Sequence, residues 1–297
     1  MIEYKISDDD DGCRIDRIVK RLCNGIGYAR LQKIFRVGKV KVNSKKVAPD
    51  LRVKTGDLVS IYETISSEDQ PTTEEFNENQ KQSFVDSLNK MIIFENDEIL
   101  AINKPAGLAV QLGSKLNFCV ETLLKAKYEK FFLVHRLDKD TTGVLLIAKT
   151  LKSARELTKL FRENQIHKTY WALVDGKISK SGMISNYLTK SFVSGEEIMT
   201  VASDGLKAVT KYNPLQRVGY FTLLELKPGT GRKHQLRVHC ATSLNAPILG
   251  DRKYNKNCSH KNLFLHAKQI EIPSLKLTIT ATLPEHFEKA ITKYSDK

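Results

Sequence analysis

The sequence predicts an α+β protein, in which a small basic α/β module precedes a larger body built around a mainly antiparallel, mixed sheet. Basic residues concentrate near the N-terminus, and most of the remaining chain consists of short apolar segments that fit strands, with only a few helical patterns. A length of 297 residues is enough for about two domains. We therefore expect the module at 1–62, an acidic flexible linker at 63–90 and the larger domain at 91–297.

The net charge of the chain points to a polyanionic partner. It holds 48 Lys and Arg against 34 Asp and Glu, a balance of +14. Nucleic acid and an anionic membrane surface both attract such a protein. No segment reaches the ~18–20 apolar residues of a membrane span, and the first residues lack the apolar core of a signal peptide. We expect a cytoplasmic protein that does not bind membranes.

The five cysteines do not suggest a metal site or a disulfide framework. Their number is odd, no two of them form a C-x-x-C pair, and no secretion signal accompanies them. The sequence therefore predicts free thiols and no bound metal.

Charge also divides the chain into segments. Residues 13–54 hold 13 basic and two acidic residues, whereas residues 63–90 hold two basic and seven acidic ones. The acidic segment is polar and has no apolar periodicity between residues 66 and 80. Such a composition is typical of a flexible, self-repelling linker.

Two short helices are predicted in the basic module. Apolar residues recur at helical spacing from Ile15 to Leu22, and a second helix runs from about 28 to 35. A charge run is more often a solvated face, but an excess of +11 over 42 residues favours contact with phosphates. The side chains that we expect to bind RNA lie on the polar faces of these helices: Arg14, Arg17, Arg21, Arg30 and Lys33.

A small hairpin completes the module. Val40 and Val42 alternate with lysines, Asn43-Ser44 forms a turn, and Val47 begins the return. This order of two helices and a hairpin resembles the RNA-binding module named after ribosomal protein S-four. The resemblance implies that residues 12–62 bind structured RNA through its backbone and shape.

The first motif of the body is a polar loop before a buried strand. It reads His135-Arg136-Leu137-Asp138-Lys139-Asp140-Thr141-Thr142-Gly143, followed by an apolar run to residue 148. Two carboxylates, Asp138 and Asp140, lie among basic residues in a loop that a rigid strand carries, which is where catalytic groups are often found. For an isolated D-x-D, a turn closed by side-chain hydrogen bonds is the commoner explanation.

Two further motifs follow. Tyr170 lies in a strand that starts at His167, where an aromatic residue alone would be assigned to the core. Residues 229–241 form a glycine turn and a helix on which His234 and Arg237 share a face. His234 and His239 are five residues apart and have no acidic neighbour, so a metal site is not predicted there.

Together these motifs resemble the RluA superfamily of pseudouridine synthases. The resemblance covers nearly the whole chain, and within the superfamily it is strongest to the branch of the C-type large-subunit synthases. Thr142 replaces the usual Ser, Lys233 replaces a common Thr, and Gln111-Leu112 stands where that branch usually has His-Gly. The matching segments are K-P-A-G-L at 104–108, H-R-L-D-K-D-T-T-G at 135–143, K-T-Y-W-A-L-V at 168–174, G-R-K-H-Q-L-R-V-H at 231–239, G-D-R-K-Y at 250–254 and L-F-L-H-A at 263–267.

The resemblance implies a reaction and a role for three residues. The family detaches uracil from carbon 1′ of the ribose, rotates it and reattaches it through carbon 5, without a metal or redox cofactor. Asp138 occupies the position of the family's catalytic aspartate, Arg237 that of the arginine that pairs with it, and Tyr170 that of the base proposed to take the proton from carbon 5. Whether Asp138 attacks the sugar or acts as a base stays open.

The resemblance also gives roles to the residues around Asp138. A uridine in folded RNA must be flipped out of its stack, and Arg136 would fill the space that it leaves. His135 is expected to be a structural hydrogen-bonding residue and not a base. Asp140 and Thr141 are expected to order the loop.

We therefore expect a monomeric enzyme that isomerises specific uridines in large-subunit (23S) ribosomal RNA. One alternative is the same chemistry on another RNA, or at the ribosomal sites of the D branch. A second alternative is a non-catalytic RNA-binding factor in ribosome assembly.

Overall fold

The computed structural model describes residues 1–23, 26–62, 76–111, 118–193, 195–255 and 260–295. The chain forms two compact units, which comprise residues 1–75 and 76–297. Each unit is described on its own below.

The N-terminal unit packs two helices on a four-stranded sheet, with the strand order β1-β4-β2-β3. Ile15, Ile18 and Val19 of the first helix are buried, as are Leu31, Ile34 and Phe35 of the second, so the helices predicted from apolar spacing are confirmed. The elements are β1 (Ile2–Lys5), α1 (Ile15–Leu22), α2 (Tyr28–Arg36), β2 (Val40–Val42), β3 (Lys45–Lys46) and β4 (Leu58–Ile61).

The predicted turn at Asn43-Ser44 is confirmed and has a specific geometry. Both residues have positive φ, 48° and 65°, as a two-residue turn that matches the twist of a hairpin requires. The Asn43 side chain ties this turn to the neighbouring strand, since its Nδ2 donates to Asp57 and its Oδ1 accepts from the Leu58 amide.

The acidic segment differs from the predicted linker in its second half. A helix, α3 (Glu78–Asn89), begins at Asn77, whose side chain accepts from the Gln80 amide while the Gln80 side chain accepts from the Asn77 amide. Leu88 is fully buried in the second unit. The prediction of a flexible linker is therefore wrong from residue 78 onward, because this polar helix is capped and packs Leu88 and the partly buried Phe84 in a core cluster of the second unit. Residues 63–75 lie outside the described residues.

The second unit is an α+β domain around one sheet, which has eleven strands among the described residues. The strand order is β11-β10-β12-β13-β9-β14-β8-β6-β5, with β15 paired to β14 and β7 paired to β8. All of these pairs are antiparallel except β14 with β8, so the predicted mixed, mainly antiparallel sheet is confirmed. The elements after α3 are β5 (Ile92–Glu95), β6 (Ile99–Lys104), α4 (Val120–Lys127), β7 (Phe132–Leu133), β8 (Thr142–Ala148), α5 (Leu151–Arg162), β9 (His167–Val174), β10 (Gly182–Val193), β11 (Glu196–Val201), β12 (Leu206–Val218), β13 (Phe221–Pro228), α6 (Gln235–Val238), β14 (Leu265–Ile272), β15 (Leu277–Thr280) and α7 (Glu285–Ser295).

The helices cover apolar parts of this sheet. Leu157 of α5 packs in a cluster with Val144 and Leu146 of β8, and Phe287 of α7 packs in a cluster with Leu224 of β13. Burial of such side chains stabilises the fold by roughly 1.5–3 kcal/mol each. Among the described residues, no helix combines the length and the apolar composition of a membrane-crossing segment.

The parallel pair β8–β14 explains the glycine that ends the H-R-L-D loop. Gly143 has a φ of 107°, and a Cβ atom there would overlap the backbone of Ala267 in β14. Only glycine allows the two strands to approach at this point. This close approach fixes the start of β8, and with it the loop that precedes the strand.

Candidate active site

Asp138 lies in the loop between β7 and β8, and this loop is anchored at both sides. The Asp138 carbonyl accepts a hydrogen bond from the Thr141 amide at 3.1 Å. The His135 Nε2 atom accepts one from the Leu146 amide at 2.8 Å. The side chain of Asp138 remains 23% exposed, so the loop presents one carboxylate to solvent from a fixed backbone.

Arg237, in α6, connects Asp138 to a second carboxylate. Its Nε and Nη2 atoms each donate to an oxygen of Asp251 at 2.7 Å, and its Nη1 atom lies 3.5 Å from Asp138 Oδ2. Burial alone would lower the pKa of Arg237, but the hydrogen bond and charge of Asp251, together with the charge of Asp138, raise it. Arg237 is therefore a permanent cation in front of Asp138.

The backbone just before Asp251 has a conformation that requires glycine, and this helps to fix the position of Asp251. Gly250 has a φ of 77°, and a Cβ atom there would overlap the carbonyl oxygen of Asn262. Asp251 Oδ1 also accepts from the amides of Lys253 and Tyr254. Sequence reasoning gave Asp251 no role, although it lies within a segment that matches the family.

His234 also lies close to Asp138. It precedes α6 with a φ of 51°, a left-handed conformation that is uncommon outside glycine. Its Nε2 atom lies 3.8 Å from Asp138 Oδ2, and its Nδ1 atom lies 2.8 Å from the Tyr254 hydroxyl. Burial is the main reason why the pKa of His234 falls to about 4, so the ring is neutral near pH 7.

Lys104 is a buried ammonium group under the same loop. It ends β6, is 0% exposed, and donates to the carbonyls of Pro105, Leu108 and Lys139, each at 2.9 Å. Burial lowers its pKa to about 7, while the charges of Asp140 and Asp138 act in the opposite direction. Lys104 joins the start of the K-P-A-G-L segment to the residue after Asp138, a role that sequence reasoning missed. The feature of the sequence that could have indicated this role is a lysine at the end of a strand that is predicted to be buried.

Tyr170, the third residue of the sequence-predicted triad, lies in β9. Burial and the negative charge of Asp138 both raise its pKa, so the side chain is a neutral phenol. Asp138, Tyr170 and Arg237 are therefore brought to one place. The pKa of His135 is lowered to about 3, first by burial and then by the charge of Lys168, which fits a structural hydrogen-bonding residue.

The sequence-predicted RNA-binding residues differ in their environments. Arg136 is exposed in the same loop as Asp138. Within the N-terminal unit, Arg17 and Lys33 are exposed and Arg30 is half-buried. The other two arginines form ion pairs, Arg14 with Asp16 at 2.6 Å and Arg21 with the buried Asp10 at 2.5 Å.

This arrangement suits chemistry by one carboxylate. An adjacent arginine and a nearby neutral phenol surround Asp138, so that it can attack an electrophilic carbon or accept a proton. Within the described ranges, no three His, Cys, Asp or Glu side chains are grouped in a way that could hold a metal ion.

Comparison with known proteins identifies the relatives of this chain. Residues 98–242 match the model of the family described as RNA pseudouridylate synthase. The ribosomal large subunit pseudouridine synthase C of Rickettsia felis is 38% identical over 92% of this chain and 94% of its own length. The protein of the same name from Vibrio cholerae is 35% identical over 97% of this chain and 95% of its own length.

Among solved structures, human RNA pseudouridylate synthase domain containing 4 is similar with a TM-score of 0.63. It is 29% identical and the match covers 73% of this chain and 97% of that one. Human RNA pseudouridylate synthase domain containing 1 has a TM-score of 0.58 at 26% identity, over 67% of this chain and 86% of that one.

Proposed function

The chain belongs to the RluA group of the RNA pseudouridylate synthase family, and we propose that it isomerises uridine to pseudouridine at specific positions of 23S ribosomal RNA. The observation that carries this proposal is the contact between Asp138 and Arg237, at 3.5 Å, beside Tyr170. The relatives named ribosomal large subunit pseudouridine synthase C support the choice of substrate.

Asp138 is the group that we propose to act on the ribose. The reaction breaks the bond between nitrogen 1 and carbon 1′ and makes one between carbon 5 and carbon 1′. It needs a carboxylate at the ribose, either as a nucleophile at carbon 1′ or as a base that removes a proton from carbon 2′ and starts elimination. The guanidinium of Arg237, which stays charged, lies 3.5 Å from this carboxylate.

Tyr170 is the group that we propose for the proton on carbon 5. This proton must leave after the new carbon–carbon bond has formed. Because burial and the charge of Asp138 raise the pKa of Tyr170, its side chain starts as a neutral phenol, which cannot itself accept a proton. In the proposed step Tyr170 first gives its own proton to nitrogen 1 of the detached uracil, and the resulting phenolate then takes the proton from carbon 5. Its loss should therefore slow the second half of the reaction.

Arg136 is the residue that we propose to enter the RNA stack. A uridine inside folded RNA must leave its stack to reach Asp138, at a cost of a few kcal/mol. Arg136 is exposed in the same loop, two residues before Asp138. A planar guanidinium can stack on the neighbouring bases that the flipped uridine leaves behind.

The N-terminal unit is proposed to hold the RNA. Arg17 and Lys33 are exposed on helices whose other faces are core, which suits contacts with phosphates. The proposed surface also includes Arg14, Arg21 and Arg30. Two of these arginines, Arg14 and Arg21, form ion pairs with acidic side chains, which partly neutralise their charge. We propose a monomer that acts in the cytoplasm, where ribosomes are assembled.

The experiment that tests the proposed function maps pseudouridines in the RNA of a strain without this gene. We expect one or a few positions of 23S ribosomal RNA to lose pseudouridine, and the wild-type gene to restore them. Loss only at transfer-RNA positions or at D-branch ribosomal positions would contradict the proposed target. An unchanged map, together with a defect in ribosome assembly, would favour a non-catalytic factor.

A further inference from the structure

Tyr254 contacts both side chains that flank Asp138. Its hydroxyl lies 2.8 Å from His234 Nδ1, and the Arg237 guanidinium lies over its ring at 5.3 Å from the centroid. Tyr254 is itself fixed, since its hydroxyl accepts a hydrogen bond from the Met199 amide at 2.9 Å. Met199 lies in β11, so a chain of contacts connects a strand of the β10–β11 hairpin to Asp138.

The hydrogen bonds in this chain favour one tautomer of His234. The Tyr254 oxygen accepts the Met199 N–H, and the arrangement that also uses the Tyr254 proton has the hydroxyl donating to Nδ1. A neutral imidazole has only one N–H, which must then be on Nε2. Nε2 is the His234 atom next to Asp138, at 3.8 Å from Oδ2.

The distance of 3.8 Å is too long for a hydrogen bond in the free protein, but it is short enough to become one with a small shift. Catalytic hydrogen bonds are often long without substrate and shorten in the complex. The left-handed backbone of His234 is consistent with a ring whose position is imposed by its surroundings.

We propose that His234 is a positioning residue for Asp138: Tyr254 holds it with its proton on Nε2, and this N–H orients the carboxylate toward the ribose. The proposal rests on the proposed function for its catalytic consequence, but not for the state of the ring. His234 does not touch the substrate in this proposal. It acts through Asp138, and Tyr254 acts through His234.

The surrounding charges explain why a neutral donor is used here. Burial is the main reason why a protonated His234 is disfavoured; the charges of Arg237, Lys233 and Lys253 add to this effect, and the charge of Asp138 opposes it. Lys233 is also paired with Glu197 of β11. A neutral N–H gives Asp138 a directional hydrogen-bond donor. A protonated ring would instead place a second full positive charge beside Arg237, and this charge would repel a ribose that becomes positively charged during the reaction.

Two measurements test the proposal. The first is the ¹⁵N spectrum of histidine-labelled protein without RNA, assigned through His234→Gln. We expect the shifts of an Nε2–H tautomer at neutral pH, and in Tyr254→Phe a mixture of both tautomers. An Nδ1–H tautomer in the wild-type protein would overturn the proposal. This result does not depend on the RNA target, so it decides the proposal even if the proposed function fails.

The second measurement is the single-turnover rate on saturating RNA, with RNA affinity and thermal unfolding measured for each variant. We expect His234→Ala to lower the rate by up to about 100-fold, as a loss of positioning does, with little change in affinity. His234→Gln, whose amide can donate from a similar place, should recover most of the rate. Tyr254→Phe should lower the rate in the wild-type background and add nothing to His234→Ala.

The outcomes of the rate measurement are distinct. A rate of His234→Ala equal to that of the wild-type protein would overturn the proposal. So would additive effects of His234→Ala and Tyr254→Phe, because the two residues would then act separately. A loss of rate in His234→Gln as large as in His234→Ala, with unchanged unfolding, would also overturn the proposal, because a hydrogen-bond donor at this position would then not be what the reaction needs.

Discussion

Arg237 and Asp251 form a buried two-point salt bridge, in which the Nε and Nη2 atoms of Arg237 each lie 2.7 Å from an oxygen of Asp251. Asp138, which we propose as the reacting carboxylate, takes only the third nitrogen, at 3.5 Å. The strong pair therefore fixes Arg237, and the looser contact leaves Asp138 free to react.

Asp251→Asn should damage both stability and activity. The amide cannot accept from both nitrogens of Arg237, and removal of one partner of a buried ion pair costs roughly 3–5 kcal/mol. We expect a loss near the lower end, about 3 kcal/mol by urea unfolding, because Asp138 remains near the guanidinium. Glu285→Gln, which removes an exposed pair with Lys289 in the same unit, is the control and should unfold like the wild-type protein. Equal stability of the two variants would contradict this view of the pair.

Lys104→Met should slow the reaction without weakening RNA binding. Methionine has a similar length but cannot bind the carbonyls of Pro105, Leu108 and Lys139 that the ammonium joins. The loop that carries Asp138 would lose its support, so we expect a fall of roughly 10-fold or more in the single-turnover rate. Lys139→Met, an exposed lysine of the same loop, keeps the backbone carbonyl and should retain the rate. A normal rate in Lys104→Met would show that the ammonium does not position the loop.

Arg17→Ala with Lys33→Ala should lower RNA affinity and its dependence on salt. Each lost phosphate contact should reduce the slope of log affinity against log salt by about 0.7–0.9. The measurement is a filter-binding series on a 23S fragment at several salt concentrations, with the rate on saturating RNA unchanged. Lys152→Ala, an exposed lysine of the second unit, is the control and should leave the slope unchanged. An unchanged slope in the double variant would place the RNA contacts elsewhere.

His239 should make the protein less stable in mild acid. The ring is fully buried between Thr210 and Asn186, and burial lowers its pKa to about 4, whereas the unfolded chain has an ordinary value near 6.5. Between these values the unfolded state binds more protons, so the free energy of unfolding falls as the pH drops from about 6.5 to about 4. Each such histidine contributes roughly 1.4 kcal/mol per pH unit at most.

The contribution of His239 can be separated from that of the other histidines. His239→Gln should remove the equivalent of about one proton from the slope of unfolding free energy against pH. The matched variant is His167→Gln, which replaces an exposed histidine of the same unit. Parallel curves for His239→Gln and the wild-type protein would contradict the assignment of a neutral, buried ring.

The fold could be predicted from the sequence where the spacing of apolar residues shows which side chains are buried. The helices α1 and α2 follow directly from their apolar spacing, and β8 follows from the apolar run after the H-R-L-D loop. Helix α3 was missed because its apolar face is small and its stability depends on a capping box and on the packing of Leu88 and Phe84. The formation of such a helix depends more on packing against other elements of the fold than on its own residue composition.

The site was predictable only in part. The motifs indicated Asp138, Tyr170 and Arg237, and the structure brings these three together, although their catalytic roles remain proposals. The local signals for Asp251 and Lys104 were weak, since an Asp after glycine and a Lys at the end of a buried strand are both common. Their roles depend on contacts between segments far apart in the chain, such as Lys104 with Lys139.

The central claim is that Asp138 is the carboxylate that acts on uridine. The most direct measurement is the release of tritium from carbon-5-labelled uridine in 23S transcript, in single turnover, by Asp138→Asn. Asparagine keeps the size of the side chain but removes its charge, so we expect no release above background, with RNA binding retained. Asp97→Asn, an exposed aspartate of the same unit, should release tritium at the wild-type rate. Release by Asp138→Asn at the wild-type rate would contradict the claim.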